Sequence, residues 1–182
     1  MNQEYDIKAT GVVRRIDDLG RIVLPKELRR TMRIKEGDSL EIYIEGKDSI
    51  IFKKYSLVES INNFIIQYVE SITSTSKRDI IVTDTERVVA ASNGFRKDIV
   101  GKKIDIRLED KIQKRTVQIF ERGNNVEVCD NLTISSALII KPITVYGDLI
   151  GSVLVVGDNY IDEVEKLLAE LTASFIGKFL EN

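Results

Sequence analysis

The sequence contains no histidine and no tryptophan, and it has one cysteine and two prolines among its 182 residues. Without histidine the chain cannot build Ser-His-Asp or Cys-His catalytic sites or the commonest zinc ligand sets. The lone Cys129 cannot form an internal disulfide, which is typical of a reducing cytoplasm. No apolar run approaches the length of a membrane span, and the start, MNQEYDIK, lacks the features of a secretory signal. We therefore expect a cytoplasmic protein that is not an enzyme, with no metal, no cofactor and no membrane partner.

The composition is that of a globular protein, with 43% hydrophobic and 31% charged residues. A chain of this length forms one domain or two small ones. Its charge is divided unevenly. Residues 1–55 hold 12 lysines and arginines against 10 acids, whereas residues 56–182 hold 15 against 19. The basic charge therefore lies at the front of a weakly acidic protein.

The most distinctive stretch runs from residue 10 to residue 34. Its pattern predicts two strand-like runs, 12–16 and 21–24, joined by a turn at 17–20. A short helix follows, opened by Pro25, because proline suits the first helical position, where its missing N–H would be unpaired in any case.

Positive charge is concentrated in this stretch. Residues 8–35 hold nine cations against three acids, a local charge of +6 in a chain whose net charge is −2. Most of the cations are arginines, whose planar fork suits phosphates and guanine edges better than lysine does. The cluster favours nucleic-acid binding over a merely solvated helix face. The cations between residues 10 and 34 are Arg14, Arg15, Arg21, Lys26, Arg29, Arg30 and Arg33.

The next residues predict a second hairpin. Residues 39–45 alternate apolar and polar side chains, a turn follows at 46–48, and residues 50–55 form the returning strand. In the helix before it, Leu28 and Met32 are expected to face inward, with the arginines on another side. A unit of about fifty residues without metal or disulfides is marginal alone. We therefore expect an obligate dimer.

Residues 8–32, KATGVVRRIDDLGRIVLPKELRRTM, closely resemble the start of the AbrB-type transition-state regulators. The match continues through 37–43 (GDSLEIY) and 50–55 (IIFKKY), which places an AbrB-type domain at residues 1–55. The resemblance implies a swapped-hairpin β-barrel, in which two chains interleave to make one body that binds double-stranded DNA. It also implies DNA contacts from Arg14, Arg21, Arg29 and Arg30, with Lys8 and Arg15 nearby.

The second half of the chain, residues 56–182, begins with a helix. Ser56 and Glu59 match a capping box, and apolar residues recur at helical spacing from Leu57 to Ile72. The helix is expected to end in the polar stretch 71–79. Later patterns predict strands at 80–83, 88–91, 126–128, 137–145 and 149–156, a loop at 93–101, a polar helix at 107–122 and a last helix from Tyr160. Two long helices thus bracket a five-stranded antiparallel sheet, which makes the whole chain α+β.

This order of elements resembles a GAF domain, as do the phrases ALIIKPI at 137–143 and GSVLVV at 151–156. GAF domains often enclose a small molecule, and others only dimerise. Ordinary loop hydrogen bonding is the favoured interpretation of the polar residues concerned, and the cyclic-nucleotide signature is absent. The candidate ligand residues are Ser92, Asn93, Phe95, Arg96, Ser135 and Ser136.

An AbrB-type head followed by a GAF-like half resembles the sporulation regulators of spore-forming bacteria. That resemblance implies a tetrameric, nucleoid-associated transcription factor acting on forespore genes. We expect it to prefer A·T-rich DNA through shape rather than a fixed sequence, with the tetramer formed through residues 56–182. Two alternatives remain, a small-molecule sensor and an antitoxin-like binding protein, each with an incidental basic patch.

Overall fold

The computed structural model describes residues 10–92 and 94–181, apart from the side chains of residues 59, 96 and 97. The chain divides into two compact units, Met1–Tyr55 and Ser56–Asn182.

The first unit contains one short helix and one hairpin among residues 10–55. Helix α1 spans Lys26–Thr31, and strands β1 (Leu40–Glu45) and β2 (Ser49–Lys54) pair antiparallel, with Ile42 opposite Phe52. This hairpin agrees with the alternation read from the sequence.

The prediction of strands at 12–16 and 21–24 is wrong for the single chain. Both runs lie outside any strand, although the turn between them is present. Their β-branched residues favour extended backbone. A strand also needs a hydrogen-bonded neighbour, and none is found for them among the described residues.

The second unit opens with two helices rather than one. Helix α2 covers Leu57–Ser60, and after a break at Ile61 helix α3 covers Asn62–Ser76. Helix α3 thus ends within the predicted polar stretch 71–79. It stops at Lys77, which adopts a left-handed conformation and donates its backbone N–H to the carbonyl of Thr73.

A five-stranded antiparallel sheet forms the centre of this unit, as predicted, but its fifth strand is residues 118–120 and not the predicted edge strand at 126–128. Its strand order is β4-β3-β9-β8-β5. A separate two-stranded ribbon pairs β6 with β7. The strands are β3 (Asp79–Asp84), β4 (Val88–Ala91), β5 (Gln118–Phe120), β6 (Val126–Cys129), β7 (Leu132–Ile134), β8 (Leu138–Val145) and β9 (Asp148–Val156).

The helices of this unit correct several sequence predictions. The predicted polar helix at 107–122 is helix α5 (Ile106–Ile112) followed by strand β5. Arg115 lies between them with a positive φ of 55°, a conformation that does not continue a helix. The predicted loop at 93–101 contains helix α4 (Arg96–Ile99), and the last helix, α6, spans Glu163–Glu181. Strand β6 belongs to the ribbon and is not an edge of the main sheet.

Two hydrophobic clusters pack on opposite faces of the sheet, because successive strand residues point to opposite sides. On one face Ile80 and Val82 pack with helices α3 and α6, and on the other Ile81 packs with α4, α5 and the ribbon. Strand β9 runs very close to β3 at Gly151, where a Cβ atom would lie 2.1 Å from the carbonyl oxygen of Thr83. The order of elements confirms the α+β class.

Candidate nucleic-acid interface

A single carboxylate, that of Asp17, organises the turn at residues 17–20 between the two extended runs. Asp17 Oδ1 accepts hydrogen bonds from the backbone N–H groups of Leu19 (3.0 Å) and Arg21 (2.8 Å). Its Oδ2 accepts from Arg21 Nε at 2.7 Å. The hydrogen bonds from the Arg21 backbone and then from its side chain hold the pKa of Asp17 below the ordinary value. The turn therefore holds one of the predicted DNA-contacting arginines.

Helix α1 carries two further arginines that are predicted to contact DNA. Pro25 precedes it, and Arg29 and Arg30 occupy its last turn. The helix ends because Arg33 has a positive φ of 53°, while the backbone N–H of Ile34 reaches back to the carbonyl of Arg29 at 2.7 Å. Arg33 therefore lies beyond the helix and does not continue its arginine face, contrary to the sequence prediction.

The residue that ends strand β2 fixes the segment after helix α1. Lys54 Nζ lies 3.1 Å from Asp38 Oδ2 and donates to the backbone carbonyl of Arg33 at 3.2 Å. The same Asp38 oxygen accepts the backbone N–H of Lys35 at 2.8 Å. Lys54 and Asp38 are both largely shielded from solvent. This partly buried cluster ties the end of the arginine helix to the hairpin.

Most of the cations that are predicted to contact DNA are exposed to solvent. Arg14, Arg15, Arg21, Arg29 and Arg30 are all exposed, and Arg33 is half-buried. Within 10–92 and 94–181, no ion pair holds Arg15, Arg29 or Arg30. Exposed guanidinium groups without an acidic partner keep their charge and donors for an external anion. Lys8 lies outside the described residues.

The first unit leaves most of its apolar surface uncovered. Between residues 10 and 55 only Pro25 is buried, and the side chain of Ile44 is 80% exposed. Ile42 and Ile50 share this exposed hairpin, and Met32, predicted to face inward, is also exposed. The described part of the unit, residues 10–55, offers no second layer for these side chains. Contiguous exposed apolar surface of this kind marks an interaction site.

The predicted ligand residues occupy different settings in the second unit. Ser92 is fully buried, and its hydroxyl bridges the backbone of Ile80, accepting from N–H at 2.6 Å and donating to C=O at 3.0 Å. Ser135 donates to Asn125 Oδ1 at 2.7 Å. Phe95 packs partly buried against the cluster around Ile81. Ser136 is half-buried, while Asn93 and the side chain of Arg96 lie outside the described residues. Their role as a ligand site stays a prediction.

Other reactive groups in the second unit are shielded or dispersed. Cys129 is 5% exposed, and burial raises the pKa of its thiol. Such a shielded thiol is typical of a structural rather than a reactive cysteine. Across the described ranges no group of three or more metal-ligating side chains converges. None of the described helices combines the length and apolar character that a membrane span requires.

Sequence reasoning missed two parts of this surface. Asp17 was counted only as one of three acids in the basic stretch, although an aspartate that starts a turn is a known signal for side-chain capping of that turn. The cluster of Lys54 and Asp38 had no signal in sequence, because the two residues are distant in the chain and meet only through the hairpin.

Two families match the chain, one in each half. Residues 60–181 match the family described as stage V sporulation protein T C-terminal, transcription factor. Residues 13–59 match the family described as antidote-toxin recognition MazE, bacterial antitoxin.

Curated relatives agree with this division. Stage V sporulation protein T of Bacillus subtilis (strain 168) is 34% identical over 177 residues, covering 96% of this chain and 99% of that protein. The transition state regulatory protein AbrB and the putative transition state regulator Abh of the same organism are 57% and 55% identical over 49 residues. Each of these two matches covers 27% of this chain and about half of the relative, 50% and 52%. The predicted resemblance to AbrB-type regulators is confirmed.

Solved structures resemble the chain in fold. A type II free methionine-R-sulfoxide reductase from Thermoplasma acidophilum aligns with a TM-score of 0.51 at 12% identity, covering 69% of this chain and 95% of that one. The cofactor-binding GAF domain of the nutrient sensor CodY from Clostridium difficile aligns with a TM-score of 0.47 at 12% identity, covering 62% and 81%. At such identities only the architecture is comparable.

Proposed function

Because the chain belongs to the stage V sporulation protein T family, we propose that it is a transcription factor that binds double-stranded DNA through residues 1–55 and regulates sporulation genes. The observation that carries this proposal is the set of exposed arginines on the first unit. Arg15, Arg29 and Arg30 have no acid to neutralise them among the described residues. Residues 8–35 keep a charge of +6 on a chain that is acidic overall. Such a patch attracts the phosphate backbone without making the whole protein a general polyanion binder.

Dimerisation through the first unit is part of the proposal. The hairpin of β1 and β2 exposes Ile42, Ile44 and Ile50, and the extended runs 12–16 and 21–24 lack strand partners among the described residues. A second copy of the unit supplies both needs at once, because it covers the apolar face and pairs the free backbone groups. The expected swapped-hairpin barrel is such an arrangement.

The second unit is proposed to join dimers into a tetramer. Helices α3 and α6 lie side by side, with ring centroids 4.5 Å apart between Phe64 and Phe179 and 4.7 Å apart between Tyr68 and Phe175. The two phenylalanines of helix α6 are also part of an apolar stripe that this helix exposes at helical spacing. Exposed aromatic and aliphatic side chains in one stripe fit a helix-to-helix subunit contact. The stripe consists of Val164, Leu167, Leu171, Phe175 and Phe179.

A charge placed in this stripe is expected to halve the assembly. Leu171 is 52% exposed in the single chain, so Leu171→Glu does not disturb the core of the unit. A contact that buries this side chain then has to bury an unpaired carboxylate. Light scattering coupled to size exclusion should show a change from tetramer to dimer. Lys166→Glu, at an exposed position of the same helix that lies three or four residues from no member of the stripe, is the control and should keep the wild-type mass. An unchanged mass for Leu171→Glu contradicts the proposed contact.

DNA binding itself is tested by a salt series. Fluorescence anisotropy of the full chain on labelled A·T-rich duplex should give a log K that falls linearly with log salt, by about 0.9 for each phosphate neutralised. A G·C-rich duplex of the same length measures the proposed preference for A·T-rich DNA. Absence of salt-dependent binding to either duplex contradicts the proposed function.

The antitoxin alternative has one observation in its favour, the match of residues 13–59 to the MazE family. The rest of the chain argues against it. Antitoxins of this type use a disordered tail to bind the toxin, whereas residues 56–181 form a sheet with two packed hydrophobic clusters, apart from the undescribed Asn93. We therefore favour the transcription factor.

A further inference from the structure

We propose that Asp17 is a positioning residue that presents the guanidinium group of Arg21 to DNA. The inference rests on the proposed function, in which Arg21 contacts the duplex. It assigns a role in binding to an acidic side chain within a surface otherwise dominated by cations.

The carboxylate acts on both the backbone and the side chain of Arg21. Oδ1 accepts the backbone N–H groups of Leu19 and Arg21, and Oδ2 accepts Arg21 Nε at 2.7 Å. The backbone closes the same turn, since the N–H of Asp17 donates to the carbonyl of Arg21 at 3.1 Å and that of Gly20 to the carbonyl of Asp17 at 3.0 Å. One aspartate therefore fixes where the turn lies and where its arginine points.

The contact leaves the outer edge of the guanidinium group for a ligand. Only Nε is held by Asp17, and within 10–92 and 94–181 no hydrogen bond from Nη1 or Nη2 of Arg21 is present. The side chain is 69% exposed. Nη1 and Nη2 form the planar fork that binds phosphate or guanine in a bidentate manner. Neither Arg29 nor Arg30 has a carboxylate that fixes its side chain, among the residues described. Arg21 is thus pre-oriented where these two are not.

Charge alone predicts the opposite effect of Asp17. A carboxylate near phosphates repels them, so its neutralisation should tighten DNA binding. Pre-orientation predicts that neutralisation weakens binding, because the freed arginine has to be ordered when DNA binds, at a cost of about a three- to tenfold loss in affinity. The sign of the change therefore separates the two roles.

Asp17→Asn is the decisive substitution. The asparagine keeps one oxygen for the turn N–H groups, as asparagine does in such turns, but its amide nitrogen cannot accept from Arg21 Nε. Asp18→Asn is the matched control, since it removes the same charge from the neighbouring exposed position. By anisotropy with the full chain, we expect Asp17→Asn to bind roughly three- to tenfold more weakly than the wild type. Asp18→Asn should bind equally well or slightly better, and both variants should have similar melting temperatures.

The double variant Asp17→Asn/Arg21→Ala shows whether Asp17 acts through Arg21. If it does, the double variant binds no more weakly than Arg21→Ala alone. Weakening by the same factor in both backgrounds overturns the proposal, as does binding by Asp17→Asn that equals that of Asp18→Asn. Those results leave the DNA-binding function standing when the wild type binds. Failure of the wild type to bind overturns both proposals.

Discussion

The variant Arg29→Ala/Arg30→Ala is expected to bind duplex DNA roughly sixtyfold more weakly than the wild type at about 0.1 M salt, counting one phosphate contact for each arginine of one chain. A contact whose slope against log salt is about −0.9 contributes roughly a factor of eight at that salt concentration, and two contacts multiply. Two chains that both face the DNA square this loss. The slope itself should become shallower by about 0.9 for each contact removed.

Because Arg29 and Arg30 are exposed, a loss of affinity in this variant can be assigned to lost DNA contacts and not to unfolding. Arg29 and Arg30 are exposed in the last turn of helix α1 and support no ion pair in the part of the chain that the structure describes. Their loss should therefore leave the melting temperature almost unchanged. Lys103→Ala/Lys114→Ala removes the same charge from exposed positions of the second unit. That control should keep nearly the wild-type affinity. Equal weakening in both double variants shows that net charge alone decides binding, against our assignment.

Arg78→Ala is expected to lower the free energy of unfolding of the second unit by about 3–5 kcal/mol, because it leaves a buried charge without its partner. Arg78 Nε lies 2.5 Å from Glu165 Oε1, and the Glu165 side chain is only 2% exposed. The other carboxylate oxygen accepts the backbone N–H of Asp162 at 3.0 Å. The ion pair thus joins the segment after helix α3 to the first turn of helix α6.

Chemical denaturation measures this loss, with two comparisons. Adding Glu165→Gln to Arg78→Ala removes the stranded charge, so the double variant should recover part of the stability. Lys166→Ala breaks an exposed ion pair with Glu163, at 2.7 Å, and should cost no more than about 1 kcal/mol. If Arg78→Ala costs as little as Lys166→Ala, the buried pair does not stabilise the unit as proposed.

The elements predicted best were those whose pattern depends on one chain alone. The hairpin of β1 and β2 follows from clean alternation, and the pairing of β8 with β9 follows from two long apolar runs around a turn. The strand at 118–120 was missed because Leu108, Ile112 and Ile119 can be fitted to one helical face. The left-handed conformation of Arg115 interrupts that face, and an arginine gives no local signal for it.

The sequence predicted which side chains form the candidate interface, but not the hydrogen bonds and strand pairing that hold them. The arginines were visible as charge, and six of the seven cations between residues 10 and 34 are exposed. The extended runs 12–16 and 21–24 have a strand pattern without strands, because a strand forms only where a second strand pairs with it, and none does among the described residues. The bonds of Asp17 depend on the distance between a carboxylate and a guanidinium group, which the sequence does not contain.

The burial of Cys129 makes the protein well suited to labelling. Its shielded thiol has a raised pKa and so little thiolate at neutral pH, which slows its reaction with maleimides in the folded state. A cysteine introduced at an exposed site, such as the turn around Asp18, therefore carries a dye selectively without removal of the natural one. The natural thiol then serves a second purpose, since its rate of modification reports how often the packed face around Ile81 opens.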